Sequence, residues 1–537
     1  MDGLMMKFPL TLPHIFDRVA RYFGGTEIVS RRPDKSIQRG TYAEFHRRTQ
    51  KLANALTRLG VKSGDRVATL AWNHGRHLEA YFGIPLCGAV LHTLNPRLSP
   101  QDQTYIINHA EDSVLLVDDV LWPVFERIRP EVKVRHVVVF GNGQPAPEGA
   151  LDYEQLIEAE MPEFSPPRIS EEDAAGLCYT SGTTGRPKGV LYSHRSTVLH
   201  SLIAALPDSI GLSRSDVLLP VVPMFHVNAW GLPYIAAMVG AKLVFPGPHL
   251  DPVSVLGLLS EEKVTLTAGV PTVWLGILEQ LDQNPGKWDV KGLHTMIVGG
   301  AAAPQAMIEG FEKRHGLRVI HAWGMTEMSP VGTVCRPGAR FAKLPDAEKF
   351  RLRATQGTAV PLVEVRAVGD SGEVPWDGKS MGELHVRGPC IASSYFHNPA
   401  EADKFTGDGW FRTGDVVTID PDGYVRITDR SKDLIKSGGE WISSVEVENA
   451  LMGHPAVKEA AVVAVAHPRW SERPVACVVL KDGAKATEEE LRAFLEPRFA
   501  RFWLPDAFVF IQQIPRTATG KFLKSALREQ LKDLRLP

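Results

Sequence analysis

A polar stretch at residues 180–189 reads T-S-G-T-T-G-R-P-K-G and has no apolar residue in it. Its glycines would let backbone N–H groups approach an anion closely, and its hydroxyls and its lysine would add donors and a positive charge. The stretch therefore predicts a loop that wraps phosphate oxygens, although on its own a glycine-rich surface turn fits equally well. The residues that would contact phosphate are Thr180, Ser181, Gly182, Thr183, Thr184, Gly185 and Lys188.

Two other phosphate-binding patterns do not fit the chain. A Walker-type P-loop needs G-x-x-x-x-G-K-[ST]. If Gly182 is the first glycine of this pattern, Pro187 occupies the position of the second glycine. The run G-N-G-Q-P-A at 141–146 formally matches a dinucleotide-binding fingerprint and follows a predicted strand. However, Pro145 and Pro147 fall where the glycine-opened helix should begin, so an NAD-dependent oxidoreductase is rejected.

The elements that must position these residues are predicted by the alternation of short apolar runs with longer helical stretches over the first 330 residues. Strands that alternate with helices form βαβ units, so an α/β fold with mostly parallel sheets is expected. Ser99 and Pro100 are typical of a helix start, which predicts a helix over 101–109. The predicted strands are 66–72, 113–119, 136–140, 242–247, 295–300 and 318–324.

The pattern changes near residue 356. Glycine turns such as D-S-G-E and P-D-G-Y separate short strands up to residue 430, which predicts a small antiparallel, β-barrel-like subdomain. Beyond it, a helix, strands at 459–465 and 475–480, and a helix near 487–497 are expected. The stretch 431–537 is long enough to form its own α+β domain. The predicted domains are therefore 1–430 and 431–537.

Composition favours a soluble protein without a nucleic-acid partner. The net charge is only −2, so no large field of one sign surrounds the chain. The five cysteines are scattered, which fits free thiols in a reducing compartment rather than disulfides or a zinc site. The N-terminus lacks the signal-peptide pattern, and no apolar run is long enough to span a bilayer. A cytoplasmic location without a transmembrane segment is expected.

Five motifs occur together in one order: the 180–189 stretch, W-G-M-T-E (323–327), T-G-D (413–415), D-R-S-K-D-L-I-K-S-G-G-E (429–440) and P-R-T-A-T-G-K (515–521). This set resembles the AMP-forming acyl-CoA synthetases over about residues 15–530. Within that family the chain looks most like bacterial medium- and long-chain fatty acyl-CoA synthetases. The resemblance implies two βαβ-type subdomains in the large domain and a mobile small one. It also implies the substrates ATP, CoA and a carboxylic acid, and Mg²⁺; many such enzymes are homodimers, which makes a homodimer one expectation.

The resemblance assigns the nucleotide site. Thr180 to Lys188 would hold the β- and γ-phosphates, Thr326 the α-phosphate, and Thr183 and Glu327 the magnesium ion. Trp323 would stack on adenine where the family more often has tyrosine, so the π-face is kept and a hydroxyl is lost. The remaining nucleotide contacts would be Gly300, Ala301, Ala302, Gly324, Asp415 and Arg430.

The C-terminal motifs would act in turn. Lys521 matches the adenylation lysine, which reaches the α-phosphate only when the small domain closes over the large one. Lys432 matches the hinge about which that domain rotates for the second step. The rotated domain would present a channel for the pantetheine arm of CoA, lined by Lys436, Ser437, Gly438, Gly439, Glu440 and Trp441.

The acyl site is expected along 222–234, 297–302 and 323–331. His226 stands where amino-acid adenylating relatives carry an aspartate, so an amino-acid substrate is disfavoured and His226 would lie at the carboxylate; a structural histidine is the alternative. An apolar channel for a fatty acid is predicted, with Trp230 resembling a gate; core packing would explain the same residues. The predicted acyl-pocket residues are Phe225, Val227, Trp230 and Val331. Aryl acids, short or thioether acids, and loading of a carrier protein stay open as alternatives.

Overall fold

The computed structural model describes residues 1, 3–180, 186–437, 440–517, 521–534 and 536. The strands are β1 (Glu27–Arg31), β2 (Ile37–Thr41), β3 (Arg66–Leu70), β4 (Val90–Thr93), β5 (Asp112–Asp118), β6 (His136–Phe140), β7 (Leu151–Asp152), β8 (Ala174–Tyr179), β9 (Gly189–Ser193), β10 (Val217–Pro220), β11 (Lys242–Phe245), β12 (Leu266–Gly269), β13 (Thr295–Val298), β14 (Val319–Gly324), β15 (Val331–Val334), β16 (Thr358–Ala359), β17 (Glu364–Gly369), β18 (Gly372–Glu373), β19 (Gly382–Arg387), β20 (Phe411–Ile419), β21 (Val425–Arg430), β22 (Ile435–Ser437), β23 (Glu440–Ile442), β24 (Val457–His467), β25 (Ser471–Leu480) and β26 (Ala507–Phe510).

The helices follow the same chain order. They are α1 (Leu12–Phe23), α2 (Tyr42–Arg58), α3 (Gly75–Leu86), α4 (Pro100–Ala110), α5 (Trp122–Glu126), α6 (Tyr153–Glu158), α7 (His194–Ala205), the single turn α8 (Val227–Trp230), α9 (Leu232–Val239), α10 (Pro252–Glu261), α11 (Pro271–Gln283), α12 (Gln305–His315), α13 (Asp346–Arg353), α14 (Ser444–Leu451), α15 (Glu488–Leu495) and α16 (Lys524–Gln530).

Two large sheets confirm the predicted α/β fold. In the first, the order is β7-β6-β5-β3-β4-β8-β9, with parallel pairing except between β8 and β9. That last pair brackets the polar stretch, because Thr180 directly follows β8 and its N–H donates to the carbonyl of Lys188 at 2.9 Å. The phosphate-loop candidate therefore leaves the carboxyl end of a strand, where open α/β sheets bind ligands.

The second sheet has the order β16-β15-β14-β13-β12-β10-β11-β1-β2. Its centre is parallel, and the N-terminal strand β1 completes it by pairing with β11, with Ile28 opposite Leu243. Helix α11 packs on this sheet through Trp274, whose side chain is fully buried. The second sheet thus combines strands from distant parts of the chain.

Smaller sheets follow in sequence. Strands β18-β17-β19-β20-β21 pair antiparallel, which agrees with the predicted antiparallel character of 356–430. The C-terminal segment forms the sheet β23-β22-β25-β24, with β26 added to β25 and α14 packed against β24. Predicted strands at 459–465 and 475–480 correspond to β24 and β25, each longer than expected because the two form one continuous hairpin.

A local sequence signal explains the start of α4, and packing holds α16. Ser99 caps α4 by accepting a hydrogen bond from the Asp102 N–H at 3.1 Å, with Pro100 at the first helical position, as predicted. In α16 the side chain of Leu527 is buried against β24. None of the helices among the described residues is long and apolar enough to cross a membrane.

Candidate functional site

A cavity of about 460 Å³ lies at the carboxyl ends of β8, β13 and β14. It collects residues that the sequence predicted from four separate motifs. Those predicted residues are Thr180, Lys188, His226, Val227, Trp230, Gly300, Trp323, Gly324, Thr326, Glu327, Val331, Arg430, Lys432 and Lys521.

An adjoining cavity of about 240 Å³ shares several of these residues, including Trp323 and Lys521, and adds Ala301, Ala302 and Asp415. The two spaces together bring nearly all predicted nucleotide and acyl residues that the structure describes to one place. Ser181, Gly182, Thr183, Thr184 and Gly185 lie outside the described residues.

The phosphate side of the larger cavity is built from paired charges. The ammonium of Lys188 is 2.6 Å from a carboxylate oxygen of Glu401 and lies over the ring of Tyr395, 5.3 Å from its centroid. The Tyr395 hydroxyl donates to Oε1 of Glu327 at 2.6 Å. Because Glu327 is only 6% exposed, this hydrogen bond orients a buried carboxylate on the same tyrosine that Lys188, the lysine predicted to bind phosphate, lies over.

Asp415 is held by two donors. The indole N–H of Trp323 donates to its Oδ2 at 2.9 Å, and Nε of Arg430 is 3.2 Å from its Oδ1. Adjacent strands set this geometry, since Asp415 on β20 pairs directly with Arg430 on β21. As the sequence indicated, Trp323 offers no hydroxyl group. Its indole N–H instead orients the carboxylate that is predicted to bind the ribose.

Lys521 enters both cavities from the C-terminal segment. Two backbone hydrogen bonds hold the chain around it. The Thr517 N–H donates to the Lys521 carbonyl at 2.8 Å, and the Leu523 N–H donates to the Pro515 carbonyl at 2.8 Å. Burial, together with the nearby positive charge of Arg430, lowers the pKa of Lys521 to about 8. An ammonium held here is poised to meet an anion.

His226 is half-buried and lines the larger cavity. Burial lowers its pKa to about 4, and the positive charges of Lys521 and Arg97 act in the same direction. The imidazole is therefore neutral near pH 7 and can offer a hydrogen bond but no positive charge to a carboxylate.

The four residues after His226 form a left-handed turn. All of Val227, Asn228, Ala229 and Trp230 have positive φ, between 38° and 59°. Such a conformation costs about 1–2 kcal/mol for each non-glycine residue. The surrounding packing must hold this turn in place, as is common next to binding sites.

Trp230 closes the acyl side against a glycine. A Cβ added at Gly299 would lie 3.0 Å from Cη2 of Trp230 and 3.0 Å from the Ala322 carbonyl oxygen, so only glycine lets the indole approach this closely. Phe225, also predicted for the acyl pocket, does not line either cavity. Its ring packs edge-on against Trp72, and the exposed guanidinium of Arg97 lies over both rings.

Of the predicted CoA-channel residues, Lys436, Ser437 and Trp441 do not line these cavities. Ser437 accepts a hydrogen bond from Arg473 at 2.9 Å, and the ammonium of Lys436 lies over the Trp441 ring, 4.3 Å from its centroid. Both contacts stay within the C-terminal sheet. Gly438, Gly439 and the side chain of Glu440 lie outside the described residues.

Sequence reasoning missed Tyr395 and Glu401. Tyr395 is 68 positions from Glu327 and lies in a loop with no recognisable motif. One chemical signal was available in the sequence. Lys188, predicted to bind phosphate, and Glu327, predicted to bind magnesium, are both charged, and a buried charged group needs a partner.

Comparisons with known families match most of the chain. The model described as AMP-binding enzyme matches residues 16–396, and the model for the AMP-binding enzyme C-terminal domain matches residues 446–521.

Curated relatives align over almost their full lengths. A long-chain-fatty-acid–CoA ligase of Thermus thermophilus is 54% identical, covering 98% of this chain and 97% of the relative. A 3-methylmercaptopropionyl-CoA ligase of Ruegeria lacuscaerulensis is 47% identical, covering 99% of both chains. Among solved structures, the anthranilate CoA ligase AuaEII in complex with anthranoyl-AMP is similar with a TM-score of 0.87 at 27% identity, covering 99% of both chains.

Proposed function

Because the chain belongs to the AMP-binding enzyme family, we propose that it is an ATP-dependent, AMP-forming acyl-CoA synthetase acting on medium- or long-chain fatty acids. One observation carries this proposal. Lys521, from the far end of the chain, lines the same cavity as Thr326 and Glu327, which follow β14. A cation and two polar groups from separate parts of the chain thus converge where a carboxylate and a triphosphate, both anions, would have to meet.

In the first step a carboxylate oxygen attacks the α-phosphorus of ATP, and pyrophosphate leaves. Lys188 and Thr180 are placed to hold the terminal phosphates, and Lys521 to neutralise charge that develops at the α-phosphate. Trp323 and Arg430 orient the carboxylate of Asp415, which would accept hydrogen bonds from the ribose. Most of the catalysis is therefore positioning and charge neutralisation.

Magnesium fits the residues present. Among the described residues, no three His, Cys, Asp or Glu side chains are grouped to hold a metal by themselves. Mg²⁺ commonly uses one or two carboxylates together with phosphate oxygens and water, and Glu327 supplies one carboxylate. When bound, the ion would offset charge on the phosphates. Tyr395 would keep Glu327 facing them.

In the second step the thiol of CoA gives its proton to solvent and its sulfur attacks the acyl carbonyl carbon. The bond between that carbon and the phosphate oxygen breaks, and AMP leaves with that oxygen and the electron pair of the broken bond. We propose that residues 431–537 form a domain that rotates about Lys432, which withdraws Lys521 and brings the 436–441 hairpin to the cavity. The glycines at 438 and 439 would leave room for the pantetheine arm. His226, neutral near pH 7, would then lie beside the carbonyl without competing for the phosphates.

The acid is proposed to be aliphatic. The acyl side of the cavity presents Val227, Trp230 and Val331, each less than 9% exposed and none charged. The 54% identity to a long-chain-fatty-acid–CoA ligase supports this class. A short thioether acid is the second candidate, favoured by the 47% identity to a 3-methylmercaptopropionyl-CoA ligase.

The test is a substrate panel. Purified protein would be incubated with ATP, magnesium, CoA and acids from acetate to palmitate, together with 3-methylmercaptopropionate, benzoate and cinnamate, while AMP and acyl-CoA are quantified. Highest kcat/KM for acids of about eight carbons or more supports the proposal. A preference for the thioether or aryl acids would overturn the substrate class, and adenylate without thioester would overturn CoA as the acceptor.

A cytoplasmic location and a homodimer remain predictions. Fractionation of the producing cells and light scattering of the purified protein would check them.

A further inference from the structure

Buried polar groups connect the two sides of Lys432. Before it, on β21, are Thr428 and Asp429; after it, at the start of α14, are Ser443 and Ser444. The hydroxyl of Ser443 donates to the Thr428 carbonyl. The N–H and the hydroxyl of Ser444 both donate to Oδ2 of Asp429, at 2.8 Å and 2.5 Å. We call these four residues the hinge-crossing contact.

Lys524 on α16 joins this contact from a third element. Its ammonium donates to the hydroxyl of Ser444 and is 2.7 Å from Oε1 of Glu448. The hydroxyl of Ser444 thus relays a chain of hydrogen bonds from Lys524 to Asp429. Asp429 is 1% exposed, Ser444 0% and Lys524 9%, so this chain is shielded from water. Hydrogen bonds to charged groups are strongest in such surroundings.

The chain of hydrogen bonds ends three residues from Lys521. Lys524 opens α16, and the Leu523 N–H is tied to the Pro515 carbonyl at 2.8 Å, so Lys521 projects from a loop whose following residues are fixed. Lys521 itself is in the cavity. The position of α16 and this loop relative to β21 is therefore fixed in part by the carboxylate of Asp429, on the other side of Lys432.

We propose that Asp429 is a positioning residue for adenylation: through Ser444 and Lys524 it holds Lys521 in the nucleotide cavity, and it must release them before the second step. This inference rests on the proposed two-step function. Ser444 and Lys524 follow Lys432 and Asp429 precedes it, so the proposed rotation about Lys432 would move them relative to one another and break the contact. The contact therefore stabilises the adenylating arrangement selectively and adds nothing to the rotated one.

Separate assays of the two half-reactions test the proposal. Adenylation is followed by acid-dependent exchange of pyrophosphate into ATP without CoA, and thioester formation by supplying synthetic acyl-AMP with CoA. Asp429→Asn and Ser444→Ala should each slow exchange by about 10- to 100-fold, the range expected for losing a buried hydrogen bond to a charged group. Both should leave thioester formation from acyl-AMP unchanged or faster. Lys524→Met should behave in the same way, and Lys524→Arg should restore most of the exchange rate.

A control separates positioning from folding. Thr487 caps α15 within the C-terminal segment, where its hydroxyl accepts a hydrogen bond from the Glu490 N–H. Thr487→Ala should lower the melting temperature while keeping the ratio of the two half-reaction rates unchanged. Equal losses in both half-reactions for Asp429→Asn and Ser444→Ala, or no loss in exchange, would overturn the positioning role. If wild-type protein itself makes neither acyl-AMP nor thioester, the proposed function fails instead, which is a distinguishable result.

Discussion

The rate of adenylation should fall as the pH rises through about 8, because the ammonium of Lys521 then loses its proton. The cause lies in its surroundings: burial and Arg430 lower this pKa from 10.5, against the opposing pull of Asp415 and Glu327. With a pKa of about 8, about nine tenths of the free enzyme carries the ammonium at pH 7 and about one tenth at pH 9. Adenylation kcat/KM should therefore drop roughly tenfold between these two pH values.

The assay is pyrophosphate exchange without CoA, since the thiol of CoA would itself titrate in this range. Lys521→Arg supplies the comparison, because a guanidinium keeps its charge throughout the range. That variant should be slower at pH 7 but should lose the alkaline fall. A fall at the same pH in Lys521→Arg would refute the assignment of this ionisation to Lys521.

Three further substitutions test other parts of the site. Lys521→Ala should reduce exchange by about 10²- to 10³-fold, as expected for a charge that stabilises the transition state, and should spare thioester formation from supplied acyl-AMP. Tyr395→Phe removes the 2.6 Å hydrogen bond to Glu327 and should raise the magnesium concentration for half-maximal exchange by about tenfold or more. Gly299→Ala places a Cβ 3.0 Å from Trp230 and should raise KM for long-chain acids more than KM for ATP.

For each substitution, one result would contradict the expected outcome. Equal loss of both half-reactions in Lys521→Ala would contradict a role of Lys521 that is specific to adenylation. Unchanged magnesium dependence in Tyr395→Phe would mean that Glu327 does not need the hydrogen bond from Tyr395. Gly292→Ala is the control for Gly299→Ala, because a Cβ there meets nothing within 4 Å. Equal effects of the two on acyl KM would exclude a direct clash with Trp230.

Residues at strand ends were predictable from the sequence. Trp323 lies in the predicted strand 318–324 and Thr326 and Glu327 follow it, and β14 ends at Gly324. Parallel strands bring their carboxyl ends to one edge of a sheet, so the meeting of β13 and β14 at one cavity followed from the βαβ pattern. Strand β8 belongs to the other large sheet, and its approach to the same cavity depends on how the two sheets pack. The roles of these residues remain predictions that the experiments above address.

Contacts between distant loops were not predictable. Tyr395 meets Glu327 and Glu401 meets Lys188 because the segment 395–404, which ends in 3₁₀ turns at Pro399–Lys404, lies against the cavity. The hydrophobic periodicity of the sequence does not predict that this segment lies against the cavity. The position of Lys521 is similar: its motif could be recognised, but its place in the cavity depends on contacts between distant parts of the chain, and the motif carries no information about these contacts.

The pairing of β1 with β11 has a consequence for the order of events during synthesis. The partner of Ile28 is Leu243, which is made about 215 residues later. At a ribosomal rate of about 5–20 residues per second, β1 waits about 10–40 s before its neighbour exists. Until then its hydrogen-bonding edge is open to other chains. A recombinant fragment ending before residue 242 keeps that edge unpaired permanently, so we expect such fragments to aggregate.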